Sequence, residues 1–259
     1  MLAAGAATAH LTVLHERLPL FDSTRHRSVP VDLYVRSDAE LESLIGLNRL
    51  PVAVISQGNT VASNEYSFIA DVFAARGYLV ASIQHDLPTD PPLSMSGSPY
   101  VGRLARYQRG AANIEFAIGR LRKLYPDADY TKLTLIGHSN GGDVSVFYAA
   151  DHPKTVTTLI TLDNLRVPLD IVQAETLSFR SLGGVFKPDI GVVPNRTEQK
   201  RDGIEVVMTG APHTDLSDRG PAKLKDRIVS ELSRFLSNHR HRPKRQPIFV
   251  PEPSPGVPI

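Results

Sequence analysis

Cysteine is absent from this chain of 259 residues, which excludes disulfide bonds, thiolate metal sites and a cysteine nucleophile. No apolar run reaches the length of about 18 residues that predicts a transmembrane helix, so we expect no integral membrane segment. The 29 Lys and Arg residues nearly balance the 27 Asp and Glu residues. That balance gives no general attraction to nucleic acid, and no nucleic-acid partner is predicted. The sequence also lacks a His-Glu-x-x-His motif and ligand-like histidine spacing, so neither a metal nor a cofactor is predicted.

Alternating apolar runs and helical spacing predict one α/β domain. The length suits a single domain of this class, and the 41% of hydrophobic residues is enough for a sizeable core. Strands followed by helices imply a mostly parallel, twisted sheet flanked by helices. Residues 29–35 alternate apolar and polar side chains, which predicts an antiparallel edge strand. The other predicted strands span 51–56, 78–83, 133–136, 156–162, 177–180 and 204–208, and the predicted helices span 65–76, 107–124 and 221–236.

The predicted α/β domain covers residues 29–238, between two segments of different composition. Segment 1–28 combines a small-residue start with the region of a first strand. Its Ala7-Thr8-Ala9 resembles a cleavage site for export, but a basic leading region is missing. Two interpretations stay open, a disordered start or the remnant of an export signal, so a cytoplasmic and an exported location remain equally compatible. Segment 239–259 is basic and then proline-rich, which predicts a disordered tail.

The motif Gly137-His138-Ser139-Asn140-Gly141 carries the strongest functional signal. A β-prone run precedes it and helix-compatible sequence follows it, which is the strand–turn–helix context of a nucleophile elbow. In such a tight turn the residues two positions before and two positions after the serine, Gly137 and Gly141, must be almost free of side chain. Ser139 is therefore the predicted nucleophile. A glycine-rich turn without function is the alternative reading of this motif.

A serine hydroxyl is a weak nucleophile at its ordinary pKa, so it needs a base, and the base needs an orienting acid. In proteins whose nucleophile lies on such an elbow, the triad residues come in the chain order serine, acid, histidine, and the histidine follows the last strand. His213 lies between the last predicted strand and the last predicted helix, so it is the predicted base.

Two aspartates compete for the role of the acid. Asp163 directly follows the strand at 156–162, whereas Asp189 lies in a longer loop after the next strand. An aspartate after a strand is often only a turn residue. We favour Asp163, because the end of an apolar strand fixes its position, and keep Asp189 as the alternative.

Two backbone N–H groups must face the oxyanion of a tetrahedral intermediate. The residue after the nucleophile, Asn140, supplies one of them. The loop after the strand at 51–56 supplies the other, and Asn59 is the predicted donor, with Gly58 permitting the close approach.

Four stretches of this chain resemble the α/β hydrolases of the platelet-activating-factor acetylhydrolase-like and dienelactone-hydrolase-like group. They lie at 55–58, at 65–70 with 76–78, at 137–142 and at 162–168, and the resemblance extends over most of the residues from about 30 to 236. The resemblance implies the α/β-hydrolase fold with a small lid or none, and a Ser–Asp–His esterase that needs no metal. The last stretch is similar to the one that carries the acid in the acetylhydrolases, which supports Asp163. Two departures concern the substrate: Gln57 stands where relatives usually have histidine, and Asn164-Leu165-Arg166 replaces a stretch that contains an aromatic residue.

The predicted function is hydrolysis of a carboxylic ester through Ser139, Asp163 and His213 and an acyl-enzyme intermediate. Residues 87–99 offer little sequence for a large lid, which favours small or accessible esters as substrates. An amidase or peptidase with the same triad, or a non-catalytic binding protein on this fold, is the alternative. The natural acyl and leaving groups and the oligomeric state are not predicted.

Overall fold

The computed structural model describes residues 12–93 and 99–239. Its strands are β1 (Val13–Asp22), β2 (Arg27–Arg36), β3 (Pro51–Ser56), β4 (Leu79–Ile83), β5 (Asp129–His138), β6 (Val156–Leu162), β7 (Glu175–Arg180) and β8 (Ile204–Met208). They form one sheet in the order β1-β2-β4-β3-β5-β6-β7-β8. β2 pairs antiparallel with β1 and β4, and all the other neighbours are parallel. The predicted α/β class with a mostly parallel sheet is confirmed.

In the part of the chain that the structure describes, six α-helices connect or flank these strands. They are α1 (Ser37–Leu44), α2 (Ser67–Ala74), α3 (Pro99–Leu124), α4 (Ser139–Asp151), α5 (Arg196–Asp202) and α6 (Ala222–His239). Short 3₁₀ turns lie at Leu169–Ile171 and at His213–Asp215. No helix in the described ranges is long and apolar enough to cross a membrane.

The sheet has an apolar core on each face. Along β3, Val52 and Val54 belong to one core, and Ala53 and Ile55 belong to the other. α3 and α4 cover the first face, and α2 and α6 cover the second. This explains the continuous apolar run of β3, since a strand with both faces buried has no polar position. Each fully buried valine or leucine contributes roughly 1.5–3 kcal/mol, so the two cores fix the strand register firmly.

The antiparallel end of the sheet differs from the prediction. β2 lies second in the sheet and not at its edge, because β1 pairs with it along its whole length from Val13 to Asp22. β1 falls within the segment 1–28 that the sequence analysis set before the domain, so the sheet begins before residue 29. The charged residues of β1 and its Pro19 interrupt the alternation of apolar and polar side chains that would mark a strand in the sequence. An edge strand tolerates both, because one row of its N–H groups has no partner strand.

Three helical features also differ from the prediction. α3 begins at Pro99, eight residues before the predicted start at residue 107. α1 and α5 were not predicted. Two predictions, the export-like Ala7-Thr8-Ala9 and the basic tail after His239, lie outside the described residues, as do residues 94–98 of the predicted loop at 87–99.

Candidate active site

Three predicted site residues meet at the carboxyl edge of the parallel strands. Ser139 directly follows β5, Asp163 directly follows β6, and His213 lies five residues after β8. Parallel strands all end at the same edge, so residues far apart in the chain converge there. The topology therefore brings a hydroxyl, a carboxylate and an imidazole together, although His213 lies 50 residues from Asp163 and 74 residues from Ser139 along the chain.

The turn at Ser139 has the geometry of a nucleophile elbow. Ser139 has a φ of 52°, in the left-handed region that residues with a side chain rarely adopt. A Cβ atom on Gly137 would overlap the carbonyl oxygen of Gly141, and a Cβ on Gly141 would overlap the carbonyl oxygen of Ser56. Both positions therefore require glycine, as the motif predicted.

His213 connects the nucleophile to the acid. Its Nε2 lies 2.8 Å from Ser139 Oγ, and its Nδ1 lies 2.7 Å from Asp163 Oδ2. With Asp163 ionised, Nδ1–H donates to the carboxylate, which leaves Nε2 unprotonated and able to accept the serine proton. The Phe186 ring stacks on the imidazole at a centroid distance of 4.4 Å and adds a steric constraint on its orientation.

Asp163 is held from two further sides. Its Oδ1 accepts the Ser181 N–H at 3.3 Å and lies 3.0 Å from a guanidinium nitrogen of Arg180. Burial on its own would raise the pKa of this carboxyl, but the hydrogen bond from His213 and the charge of Arg180 outweigh that effect and lower the pKa below its ordinary value. Asp163 is therefore ionised at neutral pH although it is almost fully buried.

The alternative acid, Asp189, lies elsewhere. Its carboxylate pairs with Arg166 at 2.7 Å, and about a third of its side chain is exposed. The hydrogen bonds of His213 go to Asp163 and Ser139. The geometry thus favours Asp163 for the role of the acid.

A second buried carboxylate supports the loop that follows Asp163. One oxygen of Asp143, on α4, accepts the backbone N–H groups of Leu165, Arg166 and Val167 at 2.8–3.1 Å. Burial nevertheless raises the pKa of Asp143 to about 6, against the opposing effect of these hydrogen bonds. Asp143 therefore holds this loop from α4, at a buried position where its ionisation is costly.

The predicted oxyanion residues lie beside the nucleophile. Asn140 is the second residue of α4, where backbone N–H groups have no partner within the helix. Asn59 lines the same pocket as Ser139 and His213, and its side-chain oxygen accepts a long hydrogen bond of 3.4 Å from Arg106. The neighbouring Thr60 has a φ of 65°, so this loop turns sharply at the site.

A pocket of about 170 Å³ opens above Ser139, and we call it the Ser139 pocket. Its arginine side chains are those of Arg103, Arg166 and Arg219, and no aspartate or glutamate is among its described lining residues. Arg166 and Arg219 are paired with acids outside this lining. Such a lining favours the negative charge that develops on an oxyanion.

The two departures from the family pattern lie in different cavities. Leu165 and Arg166 line the Ser139 pocket. Gln57 instead lines a neighbouring cavity of about 370 Å³, and its side-chain oxygen accepts the His85 N–H at 2.6 Å. The two cavities share Asn59, Thr60 and Val61 as wall residues, so the loop after β3 lies between them.

Sequence reasoning missed several residues that surround this constellation. Arg180 ends β7 and reaches the acid only because that strand lies next to β6. Phe186 lies in a glycine-containing loop without a recognisable motif. His138 was visible inside the elbow motif, but the motif assigns no role to the residue before the serine. Within the described ranges, no group of three or more His, Asp or Glu side chains could hold a metal ion.

The strand order and the elbow together define an α/β hydrolase fold. No protein-family model and no curated protein matches the sequence, whereas solved structures do match the fold. A dienelactone-hydrolase-like promiscuous phosphotriesterase from metagenomic libraries superposes with a TM-score of 0.60 at 14% identity, covering 88% of this chain and 98% of its own.

Two further structures give the same result. A protein designated m3DLH has a TM-score of 0.61 at 12% identity and covers 88% of this chain and 98% of its own. A ferulic acid esterase from Streptomyces cinnamoneus has a TM-score of 0.61 at 16% identity, with 96% of both chains covered. The fold is thus that of the dienelactone-hydrolase-like α/β hydrolases, as the sequence resemblance implied.

Proposed function

We propose that this protein is a serine hydrolase that cleaves carboxylic esters. The observation that carries the proposal is the position of His213, whose two ring nitrogens lie within hydrogen-bond distance of Ser139 Oγ and of the Asp163 carboxylate. A nucleophile, an oriented base and an acid in this relation constitute the machinery of acyl transfer.

The reaction follows from these distances. Ser139 Oγ attacks the carbonyl carbon while His213 Nε2 takes the hydroxyl proton, and the imidazolium that forms is stabilised by Asp163. The backbone N–H groups of Asn59 and Asn140 stabilise the oxyanion of the tetrahedral intermediate. The intermediate collapses, His213 gives its proton to the leaving alcohol, and an acyl group remains on Ser139. Water then attacks this ester with His213 as base, which releases the carboxylic acid and restores the serine.

The pocket size suggests which esters react best. The Ser139 pocket, at about 170 Å³, is smaller than the roughly 300–1,000 Å³ of sites that enclose drug-sized ligands. We therefore propose a short acyl group as the part that occupies it. Two structural neighbours, a phosphotriesterase and a ferulic acid esterase, are named for ester substrates, which is consistent with this chemistry.

Hydrolysis of p-nitrophenyl esters of increasing acyl length tests the proposal. We expect the wild type to turn over short-chain esters fastest, and Ser139→Ala to lose about 10⁴-fold or more of that rate, since the nucleophile is gone. Ser145→Ala is a matched control, because Ser145 is buried on the same helix but its hydroxyl donates to the Ile136 carbonyl. Equal turnover by wild type and Ser139→Ala would contradict the proposal.

A further inference from the structure

Tyr66 and His138 form a buried connection between three segments of the site. The Tyr66 oxygen accepts the Gly58 N–H at 2.8 Å and lies 2.9 Å from His138 Nδ1. On the other side of the ring, His138 Nε2 lies 3.1 Å from the backbone carbonyl oxygen of His213. Gly58 precedes the oxyanion residue Asn59, His138 precedes the nucleophile, and His213 is the base. The oxyanion loop, the elbow and the segment of the base therefore each contribute one member to this chain of hydrogen bonds.

The direction of these hydrogen bonds follows from the groups themselves. A carbonyl oxygen only accepts, so His138 must carry a proton on Nε2. Burial lowers the pKa of His138 to about 3, so the ring is neutral and its Nδ1 is an acceptor. The Tyr66 hydroxyl therefore donates to Nδ1 and uses its oxygen to accept from Gly58. All three bonds thus have one consistent arrangement of protons.

The surroundings leave this arrangement little freedom. Tyr66 is 1% exposed and His138 is 2% exposed, so water does not compete for the bonds. A Cβ atom on Gly58 would lie 2.7 Å from His138 Nδ1, closer than real Cβ contacts come, so the oxyanion loop packs directly against the ring. The His138 and His213 rings are also neighbours, with their centroids 5.0 Å apart.

We propose that Tyr66 and His138 are positioning residues that hold the oxyanion loop and the backbone of the base in a fixed relation to Ser139. The proposal rests on the function proposed above, since it assigns the oxyanion role to the Gly58–Asn59 loop. Hydrogen bonds in such a chain polarise one another, so losing one weakens the others. The chain acts together with two other links between these segments, the hydrogen bond of His213 to Ser139 and the one that Arg219 donates to the Thr60 carbonyl. Displacing an oxyanion donor or the base raises the energy of the transition state more than that of the bound substrate.

Tyr66→Phe tests this role, because it removes one hydroxyl and keeps the ring. Its matched control is Tyr130→Phe. Tyr130 is also buried, and its hydroxyl donates a hydrogen bond to the Tyr125 carbonyl, but it lies at the end of β5 that is far from His138. We expect Tyr66→Phe to lower kcat about tenfold while KM changes less than about twofold. Tyr130→Phe should leave both constants near the wild-type values.

Inhibitor binding separates positioning from a general loss of stability. An alkyl boronic acid forms a tetrahedral adduct with the serine and places an oxygen in the oxyanion hole. We expect Tyr66→Phe to weaken its binding by about the factor lost in kcat, since both depend on the oxyanion loop. The thermal midpoints of Tyr66→Phe and Tyr130→Phe show whether the folded state is retained. Wild-type kcat and inhibitor affinity in Tyr66→Phe, or a change confined to KM, would overturn the proposal.

Nitrogen NMR of the His138 ring judges the hydrogen bonds without any substrate. We expect a neutral ring with its proton on Nε2 throughout about pH 5 to 8, where an ordinary histidine titrates. We also expect the Nδ1 signal to move in Tyr66→Phe and to stay in Tyr130→Phe. A ring that is protonated on Nδ1, or that titrates in this range, would overturn the proposal. If the wild type hydrolyses no ester, the function proposed above fails, and these spectra still decide whether the hydrogen bonds exist.

Discussion

On the nucleophile side of the site, His138, Tyr66 and the backbone of Gly58 meet through hydrogen bonds between neutral groups. On the acid side, Asp163 and Arg180 meet as buried opposite charges, and the buried carboxylate of Asp143 accepts backbone N–H groups of the loop that follows Asp163. Both sides are almost completely enclosed, so the difference is one of charge and not of burial. Where a group only has to hold others in position, burying a neutral group costs less free energy than burying a charge, because a buried charge loses its hydration.

The acid side carries charge because the proposed chemistry requires it. An acid that orients the base must be ionised to stabilise the imidazolium, and burial alone would raise the pKa of Asp163. The hydrogen bond from His213 and the charge of Arg180 together offset this effect of burial on the pKa. Two buried histidines of the site show the same contrast: His213 faces a carboxylate, whereas the ring partners of His138 are a hydroxyl and a carbonyl. We therefore expect pH and charge substitutions to act mainly on the acid side.

The largest effect should come from neutralising the acid. We expect Asp163→Asn to lower kcat about 10³–10⁴-fold, because the amide neither stabilises the imidazolium nor enforces the required tautomer. The measurement is ester hydrolysis under saturating substrate.

Asp189→Asn is the control for this substitution. The change is the same, but Asp189 pairs with Arg166 and is a third exposed, and such a pair contributes about 1 kcal/mol or less. We expect kcat close to that of the wild type. The reverse pattern, in which only Asp189→Asn abolishes turnover, would exchange the roles of the two aspartates.

Removing the buried cation should be next in size. Arg180→Met leaves the Asp163 charge without its partner, which costs about 3–5 kcal/mol of unfolding free energy by analogy with other broken buried pairs. Without Arg180 the pKa of Asp163 rises. The low-pH limb of the profile of kcat/KM against pH should therefore move to higher pH. Urea unfolding and the pH profile measure the two effects.

Arg234→Met provides the matched control for Arg180→Met. Arg234 also pairs with carboxylates, those of Glu205 and Glu231, but nearly half of its side chain is exposed. We expect its unfolding free energy to change by about 1 kcal/mol or less, with an unaltered pH profile. If Arg180→Met behaved like Arg234→Met, the charged support of Asp163 would be unimportant.

Much of the site was predictable because its signals are local. The elbow glycines are needed by a single turn, and His213 and Asp163 follow strands that the apolar pattern reveals. Arg180 and Tyr66 gave no such signal, since their contacts depend on which strands and loops become neighbours after folding. The register between β6 and β7, which brings Arg180 to the acid, is set by packing on both faces of the sheet.

The less precise parts of the fold prediction have similarly specific reasons. β1 was placed only as a strand region within residues 1–28, because an edge strand with charged residues and a proline shows no clean alternation. α5 did carry a sequence signal, since Asn195 and Glu198 form a capping box and Gly203 ends the helix in the left-handed conformation. Its seven residues contain no buried side chain, and the apolar periodicity that predicted the other helices was therefore missing.

The smallest expected effect concerns the second carboxylate of the acid side. The raised pKa of Asp143, about 6, means that the folded protein binds its proton more tightly than the unfolded chain, whose pKa is near 3.8. The contribution of Asp143 to stability is therefore present below about pH 4 and declines as the pH rises to about 6, by roughly 1–3 kcal/mol.

Asp143→Asn should remove this decline, since its amide oxygen still accepts the three backbone N–H groups without becoming charged. Urea unfolding of wild type and variant at several pH values between about 4 and 7 measures the difference. Because all other titrating groups are shared, only the difference between the two curves is informative. If the unfolding free energies of wild type and variant change in parallel with pH, burial does not raise the pKa of Asp143.

The central claim is that Ser139 carries the acyl group during turnover. Mass spectrometry of the protein quenched with acid during hydrolysis of p-nitrophenyl acetate tests it most directly. We predict one added acetyl group, on the peptide that contains Ser139, in the wild type and no adduct there in Ser139→Ala. Hydrolysis by the wild type without any adduct on Ser139, together with an equal rate in Ser139→Ala, would contradict the account.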